Sequence, residues 1–339
     1  MRWAPQLARA VTVLSWAYLA LVCMSALVMW TLGDHNVLGT MLLFMGRWLF
    51  LLPLTVLVPA ALYYRRVLFF PLLAAGLVVL GPIMGARTGW RRLLPAPSGP
   101  HVRVVSFNTG AADAFMISLP DFLERWKPDI VGFQECSPQL APAMRMSTGW
   151  HHHQSHGLCL LSRFPIRSAE VMDRSNLDRV KQSESNEIGG AGFVVRFVLD
   201  TPHGPIRVGN LHLETPRKGF EGLIVDNDFR RLRLNTQIRS IESGLARRWV
   251  SEGTGPLIVL GDFNTPVESR IFQTHWGDLA DAFSTAGIGL GMTKYNGWIR
   301  ARIDHVLTSK EWRVIRATVG PDGHSDHRPL IADLTLRVK

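Results

Sequence analysis

The sequence predicts an α/β fold: two sheets packed face to face with outer helices, behind an N-terminal transmembrane helical module. Three observations predict it. The first hundred residues are mostly apolar, in runs long enough to cross a membrane. From His101 the pattern changes to many short β-type runs separated by turns and a few amphipathic helices. The polar residues of this second region collect where those runs end.

The apolar runs are Val11 to Leu32, Trp48 to Tyr64 and Val67 to Ala86. Each holds roughly 17–22 residues, the length that spans a ~30 Å hydrocarbon core. Trp16, Trp30, Trp48, Tyr63 and Tyr64 suit interfacial belts. The first run, behind Arg2 and Arg9, also has the look of a signal peptide. Two further runs and the lack of a small-residue cleavage site argue for spans instead. Buried soluble helices are excluded by the same runs, which offer water almost no polar face. Three spans place the chain ends on opposite sides. The positive-inside count is tied, with Arg2, Arg9, Arg65 and Arg66 against Arg47, Arg87, Arg91 and Arg92. The acid-free leading end favours an N-terminus inside and a C-terminal domain outside the cytoplasm. The expected organisation is a membrane module over 1–92, a Pro-rich linker over 93–100 and a catalytic domain over 101–339. The expected location is a bacterial inner or plasma membrane.

The formal charge of +10 must be divided before it is read. Residues 1–100 hold eight Arg against Asp34 alone, a surplus of seven; only about +3 remains for 101–339. That is a weak field for binding nucleic acid. Of the three cysteines, Cys23 lies in an apolar run, and Cys136 and Cys159 have no metal-type spacing. Nothing in the pattern calls for a disulfide between the latter two, and nothing calls for a protein partner.

In the second region Val102 to Phe107 reads as a strand ending at Asn108, and Leu119 to Trp126 as a helix stopped by Pro128. Ile130 to Phe133 is a buried strand ending at Gln134-Glu135. Gly157–Ser162, Gly192–Val198 and Ile206–Leu213 are further strands, the last ending around His212. Asp228 to Trp249 is a long basic helix carrying Arg230, Arg231, Arg233 and Arg239, one of which is expected to face the site. Leu257–Leu260, Ile303–Leu307, Trp312–Val319 and Leu330–Leu336 complete the strands. Asn108, Glu135, His212, Asp262, Asn264, Asp304, Asp326 and His327 all sit at strand ends. Singly each has an ordinary explanation: Asp and Asn bond their own turns, and a Glu after a strand is usually solvated. Together they offer hard oxygen ligands and imidazoles, as metal-assisted phosphoester hydrolysis requires.

The residues that carry this pattern resemble the endonuclease/exonuclease/phosphatase superfamily, the deoxyribonuclease I-like fold. The matching stretches are Val104–Asn108, Val131–Glu135, Gly209–Leu213, Leu260–Asn264, Arg302–Val306 and Gly323–Pro329, in family order. The resemblance implies a four-layer α/β/β/α sandwich of two mixed sheets and metal-dependent phosphoester cleavage. It implies Glu135 as the main ligand of Mg²⁺ (or Mn²⁺), helped by Asn108 and Asp326. It implies His327 as the catalytic histidine oriented by Asp304, Asp262 as the group that orients or deprotonates water, and Asn264 and His212 as phosphate or leaving-group contacts. The chain departs from several DNA-repair members at Thr109-Gly110, where they carry an acid. Arg217 and Lys218 are candidates for a further phosphate, though surface cations often do nothing specific. The resemblance extends to membrane-anchored members with a three-span module, some associated with glycopeptide resistance and polyprenyl pyrophosphate. The expected substrate is therefore a lipid-linked phosphate, pyrophosphate or phosphodiester, beside membrane lipids. The second expectation is a nuclease cleaving DNA, and the third a scaffold without activity.

Overall fold

The computed structural model describes residues 4–95, 99–110, 119–137, 140–175, 177, 192–297 and 299–337. Residues 96–98 of the expected linker lie outside the described residues. The chain forms two compact units, Met1–Ala86 with Glu268–Arg270, and Arg87–Val267 with Ile271–Lys339.

The first unit is helical. Helix α1 is Ala4–Thr31, α2 Val37–Phe44, α3 Leu52–Tyr64 and α4 Phe69–Val78. A 3₁₀ turn over Arg47–Leu51 leads into α3, and a π turn over Val79–Ile83 extends α4 around Pro82. Pro5–Thr31, Arg47–Tyr64 and Arg66–Ile83 are each long and apolar enough to cross a membrane. Val13, Leu14, Trp16, Leu21 and Met24 of α1 are exposed, the surface a lipid-facing helix presents and a water-facing one avoids. Helix α2 is a finding the hydropathy pattern does not announce. Asn36 caps it by accepting from Gly39 N at 2.7 Å, and its eight residues are too short to span. The polar groups in this unit are paired, as burial demands. Arg47 donates to Glu268 at 3.0 Å and to the carbonyls of Leu43 and Ile83. Asp34 accepts from Ser269 Oγ at 2.6 Å and from Arg270 N at 2.9 Å.

The second unit is the expected four-layer sandwich. Its strands are β1 His101–Asn108, β2 Ile130–Gln134, β3 His151–Ser155, β4 Leu158–Ser162, β5 Ile166–Val171, β6 Phe193–Thr201 and β7 Gly204–His212. They continue with β8 Leu257–Asp262, β9 Ala280–Asp281, β10 Lys294–Asn296, β11 Ile299–Ala301, β12 Asp304–Thr308, β13 Trp312–Val319 and β14 Leu330–Leu336. One sheet runs β13-β14-β1-β2-β4-β3 and the other β9-β12-β8-β7-β6-β5. Each is antiparallel except for one parallel pair at its centre, β1 with β2 and β7 with β8. β2 and β8 are buried along their whole length, so they read as continuous apolar runs, not as alternating ones. β10 and β11 form a separate hairpin.

Alternate residues of each central strand feed different layers. Val104, Ile130, Leu160, Val208, Ile258 and Leu260 pack between the sheets. Val105, Phe107, Val131 and Phe133 pack outward against α5 Leu119–Trp126 and α6 Leu140–Met146. Val194, Leu211, Val259 and Leu257 pack outward against α8 Phe229–Ser251, through Ala246 and Val250. Asp228 caps α8 by accepting from Arg230 N and Arg231 N. α7 is Arg217–Val225, α9 Arg270–Trp276 and α10 Ala282–Ala286. The facing sheets approach so closely at Gly132 that a Cβ there would lie 2.0 Å from Leu260 Cδ1. Beside that point Asn210 ties the sheets together, donating to Phe133 O and Cys159 O and accepting from Gln134 Nε2 at 2.7 Å. Cys136 and Cys159 are joined by a disulfide across β2 and β4. Their spacing in sequence gives no hint of it, because the antiparallel register of β2 on β4 brings them together.

Candidate active site

The two parallel pairs end at one place. Asn108 stands opposite Gln134 at the C-terminal ends of β1 and β2, and His212 opposite Asp262 at those of β7 and β8. Asp304, the first residue of β12, also pairs with Asp262. Strand polarity therefore delivers most of the candidate residues to a single rim, as parallel strands do in other α/β folds.

Contacts join the two sheets there. Asn108 Nδ2 donates to Glu135 Oε1 at 3.1 Å and to Asp262 Oδ2 at 3.0 Å. His212 Nε2 lies 3.8 Å from Glu135 Oε1 and 3.7 Å from Asp262 Oδ2. His327 Nδ1 donates to Asp304 Oδ2 at 2.9 Å, which leaves Nε2 3.6 Å from Asp262 Oδ2 and 3.9 Å from Asp326 Oδ1. Asp262, Asp304 and His327 are buried, whereas the Glu135 and Asp326 side chains are 41% and 50% exposed. The site thus has a dry acid–imidazole floor and an open carboxylate wall.

Local backbone explains these placements. Gly261 adopts φ +147°, and a Cβ there would sit 1.9 Å from Leu211 O, so only glycine fits before Asp262. Asn264, at φ +50°, donates its N–H to Asp262 Oδ1 at 2.8 Å, a turn Asn tolerates. Asn264 Nδ2 donates to Leu213 O at 2.8 Å, so one of its two amide protons is spent on the backbone. Glu135 itself holds φ +49°, a conformation non-glycine residues rarely adopt outside functional sites and turns. Ser325 Oγ donates to Asn108 O at 2.9 Å and accepts from His327 N at 3.1 Å.

The charges are interdependent. Burial alone would depress the His327 imidazole, but the carboxylates of Asp304 and then Asp262 outweigh it and raise it to about 9. Burial, together with the Asp304 charge, raises Asp262 above the ordinary carboxylate range. Burial would raise Asp304 too, yet the His327 charge and hydrogen bond hold it low. At neutral pH the site therefore holds an imidazolium braced by Asp304, with Asp262 facing its other nitrogen. Asp262, Asp304 and His327 offer ligand atoms within 4.8 Å of one another, enough to hold a metal ion. Both Asp304 oxygens already accept from His327 Nδ1, however. Glu135 and Asp326 are the exposed carboxylates, with the buried Asn108 bonded to Glu135 beside them, and oxygen donors of this kind fit a divalent cation.

Other expected residues are placed differently. Arg217 opens α7, a helix absent from the elements the sequence predicts. Its Nε lies 3.4 Å from Glu221, one turn along that helix, and its side chain is 73% exposed. Lys218 follows it on α7. Of the α8 arginines, Arg239 is the one that reaches the site, donating to Asn264 O at 2.9 Å from a buried position. Several contributors are not among the expected residues. Thr293 Oγ1 accepts from Ile303 N and Asp304 N, and His305 is fixed between Asp281 and Thr265 O. Lys294 Nζ pairs with Asp326 Oδ2.

Residues 105–327 match the family model described as Endonuclease/Exonuclease/phosphatase family. No functionally curated protein matches the chain. Among solved structures, a humanized D. rerio TDP2 is similar at 12% identity and a TM-score of 0.53, over 69% of this chain and 99% of that one. ANGEL2, described as a 2′,3′-cyclic phosphatase, gives 13% identity and a TM-score of 0.51 over 72% of this chain and 100% of its own. A Bacteroides vulgatus protein of the same family description gives 16% and 0.51 over 70% and 100%. At these identities the likeness is one of fold.

Proposed function

The chain belongs to the endonuclease/exonuclease/phosphatase family, whose members hydrolyse phosphoester bonds, and from that premise we propose a membrane-anchored, Mg²⁺- or Mn²⁺-dependent hydrolase of a lipid-linked phosphate, pyrophosphate or phosphodiester. The observation that carries the chemistry is the braced imidazole: His327 between Asp304 and Asp262, beside Asn108 and Glu135. Glu135, Asn108 and Asp326 would hold a divalent cation, which when bound would supply charge neutralisation at the phosphate oxygens.

The chain's own groups supply the rest. Asp262 orients the attacking water and accepts its proton, a role its upward shift favours. His327, cationic at neutral pH, stabilises negative charge as it develops on the phosphate or leaving oxygen. Asp304 fixes the ring so that Nε2 is the free nitrogen. Asn264 and His212 contact phosphate from the Asp262 side. Arg217 and Lys218, on the exposed start of α7, meet a more distant phosphate or headgroup.

Two features support a lipid substrate. Residues 1–92 act as a membrane module whose three apolar helices keep the enzyme at phosphate-bearing lipids. The Cys136–Cys159 disulfide suits a catalytic domain over 101–339 that folds outside the reducing cytoplasm, with 93–100 as linker. The surplus of about +3 in that domain gives DNA little attraction, so nuclease activity is the second reading. The test uses the full chain in detergent with Mg²⁺. Phosphate release from undecaprenyl pyrophosphate should exceed plasmid nicking, EDTA should abolish it, and H327A and E135A should each lose on the order of 10²–10⁴ in rate. Near-wild-type turnover in both variants sinks the assigned roles, and nicking alone selects the nuclease.

A further inference from the structure

The hairpin β10–β11 places a lysine at the catalytic histidine. Lys294 pairs with Ala301 across the hairpin and with His327 through an isolated bridge. Its neighbours are stitched to the same segment: Tyr295 N donates to Asp326 O at 2.7 Å, and Arg328 N donates to Thr293 O at 2.7 Å. Thr293 is anchored in turn by the N–H groups of Ile303 and Asp304. Lys294 is therefore fixed by the backbone that also fixes Asp304 and His327, unlike a lysine on a free loop. Its side chain is three-quarters buried, and its ammonium pairs with Asp326 Oδ2. An ammonium has three donors, and no second protein acceptor engages this one among the described residues. Its charge reaches His327, which it pulls downward against the carboxylates. Beside it, Tyr295 carries the Arg328 guanidinium 4.1 Å from its ring centre and that of Arg300 at 5.4 Å.

Charge says what such a cation selects. Glu135, Asp262, Asp304 and Asp326 bring four carboxylates to the rim. Lys294 sets an ammonium among them, paired with Asp326 beside His327. Removing that charge makes the rim more repulsive to an incoming anion, and the change is twice as large for a dianion as for a monoanion. A phosphodiester carries one negative charge at phosphorus; a phosphomonoester or pyrophosphate terminus carries close to two. We propose that Lys294 is a specificity-determining residue that turns this site toward a terminal phosphate dianion, a monoester or a pyrophosphate end, over an internal phosphodiester. This rests on the hydrolase reading above and narrows its substrate class.

The experiment uses the full chain in detergent at saturating Mg²⁺, with p-nitrophenyl phosphate, undecaprenyl pyrophosphate and bis-p-nitrophenyl phosphate as substrates. In K294M, kcat/KM for the monoester and the pyrophosphate should each fall at least tenfold more than for the diester, chiefly through KM. K294R, which keeps the charge, should recover most of that difference. Equal losses on all three substrates, or K294R no better than K294M, overturn the proposal while the hydrolase reading stands. If only one of the two dianions responds, the selectivity belongs to the rest of that substrate and the proposal also fails. Wild-type protein that cleaves none of them defeats the hydrolase reading itself. Calorimetry with inorganic pyrophosphate then still decides the role of Lys294, because K294M should bind it at least tenfold more weakly, and equal binding removes the basis for selection.

Discussion

His327 is buried and yet charged at neutral pH, and that combination makes it sensitive to proton concentration. Transfer out of water alone would favour the neutral ring, but Asp304 accepts its Nδ1 proton and Asp262 faces its other edge. The native value of about 9 lies above the unfolded value of 6.5. A group raised in the folded state contributes stability that is complete below its unfolded pKa and is lost as pH rises through its folded pKa. The window is therefore pH 6.5 to 9, and the shift corresponds to on the order of 3 kcal/mol. Thermal unfolding of the metal-free full chain should show a wild-type advantage over H327Q that is largest below pH 6.5 and shrinks toward pH 9. An advantage that does not change across this range would mean the imidazolium–carboxylate arrangement contributes nothing to folding. The same logic fixes the order of importance around the ring. Asp304, with both oxygens on one N–H, holds the ring, while Asp262 is held in place by Asn108 Nδ2 and the Asn264 N–H.

At the scale of elements, what was legible in the sequence depended on whether the signal was local. β1, β2 and β8 are largely apolar runs that lead into Asn108, Glu135 and Asp262, and these strands, with β13 and β14, fall within a residue or two of where their hydropathy puts them. α5 was equally legible, since its amphipathic face stops at Pro128. β3 was not, because His151-His152-His153 carries no apolar alternation and is a strand only through its pairing with β4. α7 hid behind Pro216 and a glycine-containing start, which read as turn signals although Pro suits a helix entrance. The site followed the same division. Asp262 and His327 announce themselves through short motifs, whereas Lys294 reaches the rim by tertiary placement alone, and Arg239 was legible only as one of four arginines on α8. The disulfide is the clearest case, since the register of β2 on β4, not the spacing of Cys136 and Cys159, brings the two together. It closes a loop of 23 residues and should add about 3 kcal/mol by restricting the unfolded chain. Reductant, or the C136S/C159S pair, should lower the unfolding midpoint. The shift should be absent when reductant is added to the double variant; a further drop there would point to some other effect of the reagent.

At the scale of the whole molecule the disulfide and the helices bear on one question. Pro5–Thr31, Arg47–Tyr64 and Arg66–Ile83 are each long and apolar enough to cross a membrane, and three crossings would put the two ends of the chain on opposite sides of a bilayer. The arginine count flanking them is balanced, so charge alone leaves the sign of that arrangement undetermined. The short α2 does not alter the parity, because eight residues cannot cross a ~30 Å core. The disulfide supports the proposed extracytoplasmic side, since a buried Cys136–Cys159 bond persists where thiols are oxidised and is scarce where glutathione keeps them reduced. A reporter enzyme active only outside the cytoplasm, fused after Lys339, should therefore be active in cells, and a cytoplasm-only fluorescent reporter fused there should be dark. In the same membranes, alkylation under non-reducing conditions should modify no more than Cys23, the free cysteine among the described residues. The opposite reporter pattern, with Cys136 and Cys159 freely alkylated, would put the catalytic rim in the cytoplasm. It would then share a compartment with nucleic acid, and the lipid-linked substrate would lose its compartmental support.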